Sequence, residues 1–89
     1  MEITLGKEGL EKTWQAKFPE TTICCRCKGL SRIGFVAHEH MSEADNDGPF
    51  VYSLHPNEGK GGFWLHDCCA VAVYFCVDCL NPTALYNQG

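Results

Sequence analysis

Two short stretches decide the fold of this chain: CCRCKG at residues 24–29 and CVDCLN at residues 76–81. Each is a Cys-x-x-Cys pair followed, two residues later, by glycine or asparagine. Two thiolates at this spacing bind one metal ion from a single tight turn, and two such turns complete a tetrahedral site. The spacing therefore predicts a structural metal site that joins two distant parts of the chain.

The size and the cysteine content of the chain favour a metal over disulfides. At 89 residues the chain (1–89) forms at most one domain, and its core alone gives marginal stability. Its seven cysteines are an odd number, so complete pairing would leave one thiol over. Residues 1–8 lack the basic region and apolar run of a secretory signal. We therefore expect a cytoplasmic protein, whose thiols bind metal more often than they pair.

The chemistry of the thiols restricts the metal. Thiolates prefer zinc, copper(I) or iron, and a tetrahedron of four thiolates suits zinc or iron. A residue that tolerates positive φ just past the second cysteine helps the chain leave the turn. Gly29 and Asn81 stand at these two positions and are predicted to adopt that conformation. The sequence thus predicts one Zn²⁺ ion, with iron as the alternative.

The two cysteine turns resemble those of the zinc ribbons, which are small rubredoxin-like folds. The resemblance implies two such turns, called knuckles, at the tips of hairpins in a three-stranded antiparallel sheet. It covers the first turn, the strand after it and the segment 71–76 that enters the second turn. The chain departs from the commonest ribbons at Lys28 and Leu80, where those proteins carry glycine. The metal ligands that the resemblance implies are Cys24, Cys27, Cys76 and Cys79.

The remaining patterns predict a small α+β, mainly β fold. Leu10, Trp14 and Phe18 recur at helical spacing, so residues 5–18 are predicted to form an amphipathic helix that covers the sheet. The ribbon is expected to span residues 21–81. Its predicted strands are rich in β-branched and aromatic residues and lie at 32–38, 50–54, 63–65 and 70–76. A further short strand is expected at 21–24, where it leads into the first cysteine turn.

Two finer expectations concern the first long strand and the tail. Strict alternation predicts that Ile33, Phe35 and Ala37 share one side of the strand. The tail, residues 82–89, is expected to form one helical turn or an irregular extension.

A rival assignment rests on a helix at residues 67–79, because its alanines and Asp67 suit a helix as well as a strand. A histidine that ends a strand and a cysteine that begins a helix resemble the late ligand pair of treble-clef zinc fingers. The metal would then be bound by Cys24, Cys27, His66 and Cys69. In that assignment Cys76 and Cys79 would be spare, or would share a second ion with His38 and His40. Cys25 is a less favoured substitute for Cys24, because it would bind with a tighter spacing.

Charge and motif content favour a non-catalytic interaction module. The net charge of −4 argues against a sequence-blind nucleic-acid binder, which relies on lysine and arginine. Four protein ligands would leave no open position for a substrate, so we expect no enzymatic activity and no small-molecule substrate. No apolar run reaches the ~18–20 residues that span a bilayer, so no membrane association is expected. The favoured function is that of an adaptor with a protein partner.

Two other functions stay open at this point. Ribbons are common in transcription and translation factors, and the basic residues Arg26, Lys28 and Arg32 around the first knuckle motivate a nucleic-acid-associated role. Four cysteines around iron would instead make an electron carrier similar to rubredoxin.

Overall fold

The computed structural model describes residues 2–13, 15–38 and 69–88. These residues form one antiparallel sheet and a short 3-10 helix. The helix spans Gly6–Glu11, and the strands are β1 (Glu2–Leu5), β2 (Thr21–Ile23), β3 (Leu30–His38), β4 (Cys69–Cys76) and β5 (Pro82–Gln88). The expectation of a small, mainly β fold is confirmed, but the sheet has five strands where three were expected. The predicted strands at 50–54 and 63–65, together with His40 and His66, lie outside the described residues.

β3 is the central strand of the sheet. β1 and β2 lie along one edge of β3, β2 beside its first half and β1 beside its second half. β4 pairs with the other edge of β3, and β5 adds outside β4. Because Ser31 pairs with Cys76, the turn before β3 and the turn after β4 meet at one end of the sheet.

The segment that follows residue 68 is a strand, so the alternative helix at 67–79 is wrong. Every second residue of β4 is fully buried on the core face, a period that fits a strand and not a helix. These residues are Ala70, Ala72, Tyr74 and Cys76. The tail also differs from both expectations, because residues 82–88 form β5 and cover the outer edge of β4.

The predicted helix over residues 5–18 is wrong, since only Gly6–Glu11 is helical and its turns are of the 3-10 type. Two glycines in the first turns disfavour an α-helix. Gly9 is also needed for close packing, because a Cβ there would lie 2.9 Å from both the Thr4 carbonyl oxygen and the Cβ of Val36. The helix therefore lies directly on β3, at a distance that a larger residue would prevent.

Thr13 lies just past the 3-10 helix, and its side-chain hydroxyl makes hydrogen bonds outside the helix. Its hydroxyl donates a hydrogen bond to Oδ1 of Asn87 in β5 at 2.7 Å. Oγ1 of Thr13 also accepts a hydrogen bond from the Gln15 amide at 3.2 Å. Local bonds of this kind compete with helix formation, and here they hold the segment against the sheet.

One face of the sheet carries the core. Leu10 and Phe18 of the predicted stripe are buried against the sheet as expected, and Trp14 lies outside the described residues. Their partners in the buried cluster are Val36, Ala70, Ala72 and Tyr74. The Tyr74 hydroxyl donates a 2.6 Å hydrogen bond to the Pro19 carbonyl, which satisfies a buried polar group and fixes the end of the segment.

A β-bulge at Gly34 corrects the predicted alternation of β3. The register shifts between Ile33, which pairs with Tyr74, and Phe35, which pairs with Val73. The extra residue breaks the period of two, so Val36 and not Phe35 joins the core. A Cβ at Gly34 would lie 2.5 Å from the Phe75 ring, which crosses the bulge. The ring also lies 6.3 Å from the Phe35 ring, centroid to centroid.

We predict that Gly34→Ala lowers the free energy of unfolding by about 1–3 kcal/mol, because the added methyl group displaces the Phe75 ring. Chemical denaturation of the single and double variants measures this cost. In a Phe75→Ala background the same substitution is expected to cost less than about 0.5 kcal/mol. Equal costs in the two backgrounds would show that the ring contact is not the reason for the glycine.

Candidate metal centre

The two cysteine turns share one pattern of backbone hydrogen bonds. In the first turn, the Cys24 amide donates to the Gly29 carbonyl at 2.8 Å, and the Lys28 amide donates to the Cys24 carbonyl at 3.1 Å. In the second turn the Cys76 amide donates to the Asn81 carbonyl at 3.3 Å, and the Leu80 amide donates to the Cys76 carbonyl at 3.0 Å. The turns are therefore equivalent knuckles, with the boundaries that the sequence predicted.

Backbone amides of each knuckle point at its sulfur atoms. Sγ of Cys24 accepts hydrogen bonds from the amides of Arg26 and Cys27, at 3.3 and 3.4 Å. The Gly29 amide lies close enough to Sγ of Cys27 to lower the pKa of that thiol. In the second knuckle the Asp78 amide donates a hydrogen bond to Sγ of Cys76 at 3.4 Å. Such donors stabilise the negative charge of a thiolate.

The knuckles bring four sulfur atoms together at the end of the sheet. The Sγ atoms of Cys24 and Cys79 are 3.7 Å apart, and those of Cys27 and Cys76 are 3.4 Å apart. All four lie within 4.8 Å of one another. A tetrahedron with Zn–S bonds of about 2.3 Å has edges of about 3.8 Å, whereas a disulfide needs about 2.05 Å. The separations fit four ligands of one metal ion, and the cysteines are free.

The first cysteine of each knuckle is the more acidic one. The amide of Cys27, followed by that of Arg26, lowers the pKa of Cys24 to about 6. The amide of Cys79 lowers the pKa of Cys76 in the same way. These two thiols are therefore prepared to act as thiolates.

The second cysteine of each knuckle has the opposite tendency. The Gly29 amide lowers the pKa of Cys27, but the neighbouring thiols of Cys76 and Cys79 outweigh it and raise that pKa to about 12. The Asn81 amide likewise lowers the pKa of Cys79, but burial and the thiols of Cys24 and Cys76 outweigh it and raise that pKa. Four thiolates at these distances repel one another, and a bound divalent cation allows all of them to ionise.

The left-handed residues of the knuckles are Lys28, with φ of 66°, and Leu80, with φ of 62°. The sequence predicted this conformation one residue later, at Gly29 and Asn81, and that expectation is wrong. The chain turns directly after the second cysteine, at the position where the commonest ribbons carry glycine. Residues with a Cβ adopt this conformation at a cost of roughly 1–2 kcal/mol each, so both knuckles are strained.

Gly29 is required for a different reason, which is space. A Cβ at this position would lie 2.6 Å from Oδ2 of Asp78. It would also lie 3.3 Å from Sγ of Cys27 and 3.5 Å from Sγ of Cys76. The glycine therefore lets the second knuckle approach the first closely enough for their sulfurs to meet.

Hydrogen bonds between the knuckles hold this arrangement together. The Val77 amide donates to the Leu30 carbonyl at 2.9 Å. The Cys25 amide donates to Oγ1 of Thr83 at 3.1 Å, and Nδ2 of Asn81 donates to Sγ of Cys25 at 3.3 Å. Pattern reasoning missed this bracing, because no spacing rule links residues this far apart in the chain.

The two rival ligands that the structure describes, Cys69 and His38, do not join the sulfur cluster. Cys69 is buried at the start of β4, seven positions before Cys76, which is about 23 Å along a strand. His38 is buried at the far end of β3, where its ring lies 3.4 Å from the Thr4 hydroxyl. Within the described ranges, the four cysteines of the two knuckles are the one group of metal-ligating side chains that converges. The treble-clef assignment is therefore wrong.

No protein family, curated protein or solved structure matches this chain. The candidate centre therefore rests on its own geometry. In the part of the chain that the structure describes, no helix has the length and apolar character needed to cross a membrane.

We predict that Lys28→Gly and Leu80→Gly each raise the free energy of unfolding by about 1 kcal/mol, because glycine adopts positive φ without strain. Thermal or chemical unfolding at a fixed metal concentration measures the gain. Arg26→Gly is the matched control in the same knuckle, since Arg26 does not have positive φ. It is expected to lose about 0.5–1 kcal/mol, and equal effects at positions 26 and 28 would contradict the prediction.

Proposed function

We propose that Cys24, Cys27, Cys76 and Cys79 bind one Zn²⁺ ion in a closed structural centre of the zinc-ribbon kind. The observation that carries this proposal is the convergence of the four Sγ atoms within 4.8 Å. The donor set suits zinc, because thiolates are soft ligands and zinc accepts tetrahedral geometry without preference from d electrons. The amides that donate to the sulfur atoms of Cys24 and Cys76 further support a bound thiolate.

The proposed centre is structural and non-catalytic. Four protein ligands fill the coordination sphere, which leaves no position for water or substrate. The chain has 89 residues, and the core of a domain of this size gives only marginal stability, so the domain needs another source of stability. In such domains the free energy of metal binding is free energy of folding.

The function of the module then resides on its surface, and we favour a protein partner in the cytoplasm. Apolar side chains remain exposed beside the knuckles. Ile23 and Leu30 pair across β2 and β3, and the Leu30 carbonyl accepts the amide of Val77. These three side chains are 66%, 47% and 46% exposed. Exposed apolar patches on a small domain are typical of interaction sites.

Removal of one proposed ligand tests the metal centre. Cys79→Ser is expected to weaken zinc binding by at least two orders of magnitude (about 3 kcal/mol or more) and to unfold the domain, because the tetrahedron loses a thiolate. Native mass spectrometry with elemental analysis measures stoichiometry and affinity. Cys25→Ser is the matched control, since Cys25 is an exposed neighbour outside the cluster, and it is expected to retain one ion per chain.

The same samples distinguish zinc from iron. An iron–thiolate centre is red when oxidised, whereas a zinc centre is colourless. A red protein with one iron per chain would replace the structural proposal with that of an electron carrier. Equal metal binding by Cys79→Ser and Cys25→Ser would instead contradict the ligand set.

A double substitution on the apolar patch tests the interaction proposal. Leu30→Ser with Val77→Ser is expected to preserve metal content and to abolish capture of the partner by the purified, metal-loaded protein. The reason is that both side chains are exposed, while the Val77 amide and the Leu30 carbonyl remain hydrogen-bonded to each other. Quantitative affinity capture from the source cell, with metal content measured in parallel, checks the result. Retention of the same partner by the double variant would contradict the proposal.

Nucleic-acid binding is the second candidate, and the exposed basic residues Arg26 and Lys28 on the first knuckle favour it. The carboxylate of Asp78 lies beside the same knuckle, and four thiolates with one Zn²⁺ would add two negative charges. These charges oppose phosphate binding. Retention of DNA or RNA in a filter-binding titration at low salt, lost on nuclease treatment, would favour this candidate over the protein partner.

A further inference from the structure

Ser31 is a buried polar residue beside the candidate metal centre. It is fully buried in β3, and its Oγ is the one buried side-chain oxygen or nitrogen of the described residues without a hydrogen-bond partner. A buried hydroxyl that makes no hydrogen bond carries an uncompensated desolvation cost. Such a group in a well-packed sheet calls for a partner that forms in another state of the protein.

The sheet register identifies the nearest candidate for that partner. Ser31 pairs directly with Cys76 across β3 and β4, and both residues are fully buried. Directly opposed side chains on one face have Cβ atoms about 4.5–5.5 Å apart. Rotation about χ1 of Ser31 therefore carries its hydroxyl toward the sulfur of Cys76. On the other side Ser31 pairs with Thr22, which lies one strand farther from the sulfur cluster.

The sulfur of Cys76 is a suitable hydrogen-bond acceptor for the Ser31 hydroxyl. It accepts amide hydrogen bonds from its own knuckle, but it is fully buried and receives none from water. A metal-bound thiolate keeps lone pairs and negative charge that a hydroxyl can satisfy. Outer hydrogen bonds of this kind orient metal ligands and contribute to metal affinity.

We propose that the Ser31 hydroxyl donates a hydrogen bond to Sγ of Cys76 when the centre holds its metal. Ser31 is then a positioning residue that fixes the orientation of one ligand from the sheet. This inference rests on the proposed metal centre and adds to it a contact from outside the two knuckles. The alternative is a merely unsatisfied hydroxyl, and the two possibilities predict different effects of its removal on metal affinity.

Cobalt(II) titration of Ser31→Ala separates them. If the hydroxyl donates to the thiolate, the substitution lowers cobalt and zinc affinity by about tenfold and shifts the thiolate-to-cobalt charge-transfer band. If the hydroxyl is unsatisfied, its removal leaves the band unchanged and the affinity unchanged or higher, which would overturn the proposal. Thr22→Ala is the control, and it is expected to leave both the band and the affinity as in the wild-type protein.

Two further measurements keep the outcome clear. Wild-type protein that shows no charge-transfer band binds no metal through thiolates, and that result would overturn the metal centre itself together with the role of Ser31. A measurement on wild-type protein loaded with cadmium does not depend on whether the variant folds. Proton–cadmium scalar coupling to a slowly exchanging serine hydroxyl is expected there, and its absence in a spectrum that shows couplings to the knuckle amides would overturn the proposal.

Discussion

The pairing of β3 with β4 is the constraint on which the candidate centre depends. One knuckle precedes β3 and the other follows β4, so their register decides whether four sulfurs meet. Near the knuckles Ser31 pairs with Cys76, and beyond the bulge Val36 pairs with Ala72. A slip of one residue turns a side chain to the opposite face of the sheet. The bulge at Gly34 therefore allows β3 to direct Val36 into the core and, at its other end, to keep Ser31 in register with Cys76.

The chain is small, and the described part of it buries few large side chains. Tyr74 and Leu10 are the largest of those that are fully buried, whereas Leu5 and Leu80 are each 74% exposed. A domain of 89 residues buries a limited share of its surface, so its core supplies little stability beyond the conformational entropy that folding costs. A metal that links the two knuckles would supply the remainder, since binding free energy and folding free energy are the same quantity in such domains. Such a source of stability is compatible with the apolar side chains that stay exposed on the described surface.

The parts that the sequence predicts well are those where chemistry acts through local spacing. The two Cys-x-x-Cys pairs specified the knuckles and their convergence, and β-branched and aromatic residues indicated the strand before Cys76. The helical stripe correctly marked Leu10 and Phe18 as buried, but the secondary structure was wrong. Buried residues at this spacing are typical of a helix, but an irregular segment shows the same spacing when tertiary contacts fix the path of its backbone. Here that contact is the close approach of Gly9 to Val36.

The parts that the sequence could not predict depend on contacts between distant residues. No local pattern marks a bulge at Gly34, because the Phe75 ring that covers it comes from another strand. The conformation of Lys28 was missed because residue preference alone pointed to the glycine that follows it. The role of Ser31 could not be suspected before the register with Cys76 was known.

The knuckles also show why a cation is the simplest explanation of the site. Lys28 and Leu80 hold a backbone conformation that costs energy, and strain of this kind persists only where the surroundings over-determine it. The amides lower the pKa of Cys24 and Cys76, while the pKa values of the other two thiols are raised by their neighbours. Backbone strain and thiolate repulsion thus both oppose the convergence of the knuckles. A divalent cation at the centre would offset both costs at once, which the hydrogen bonds between the knuckles cannot do because they leave the thiolate charge unbalanced.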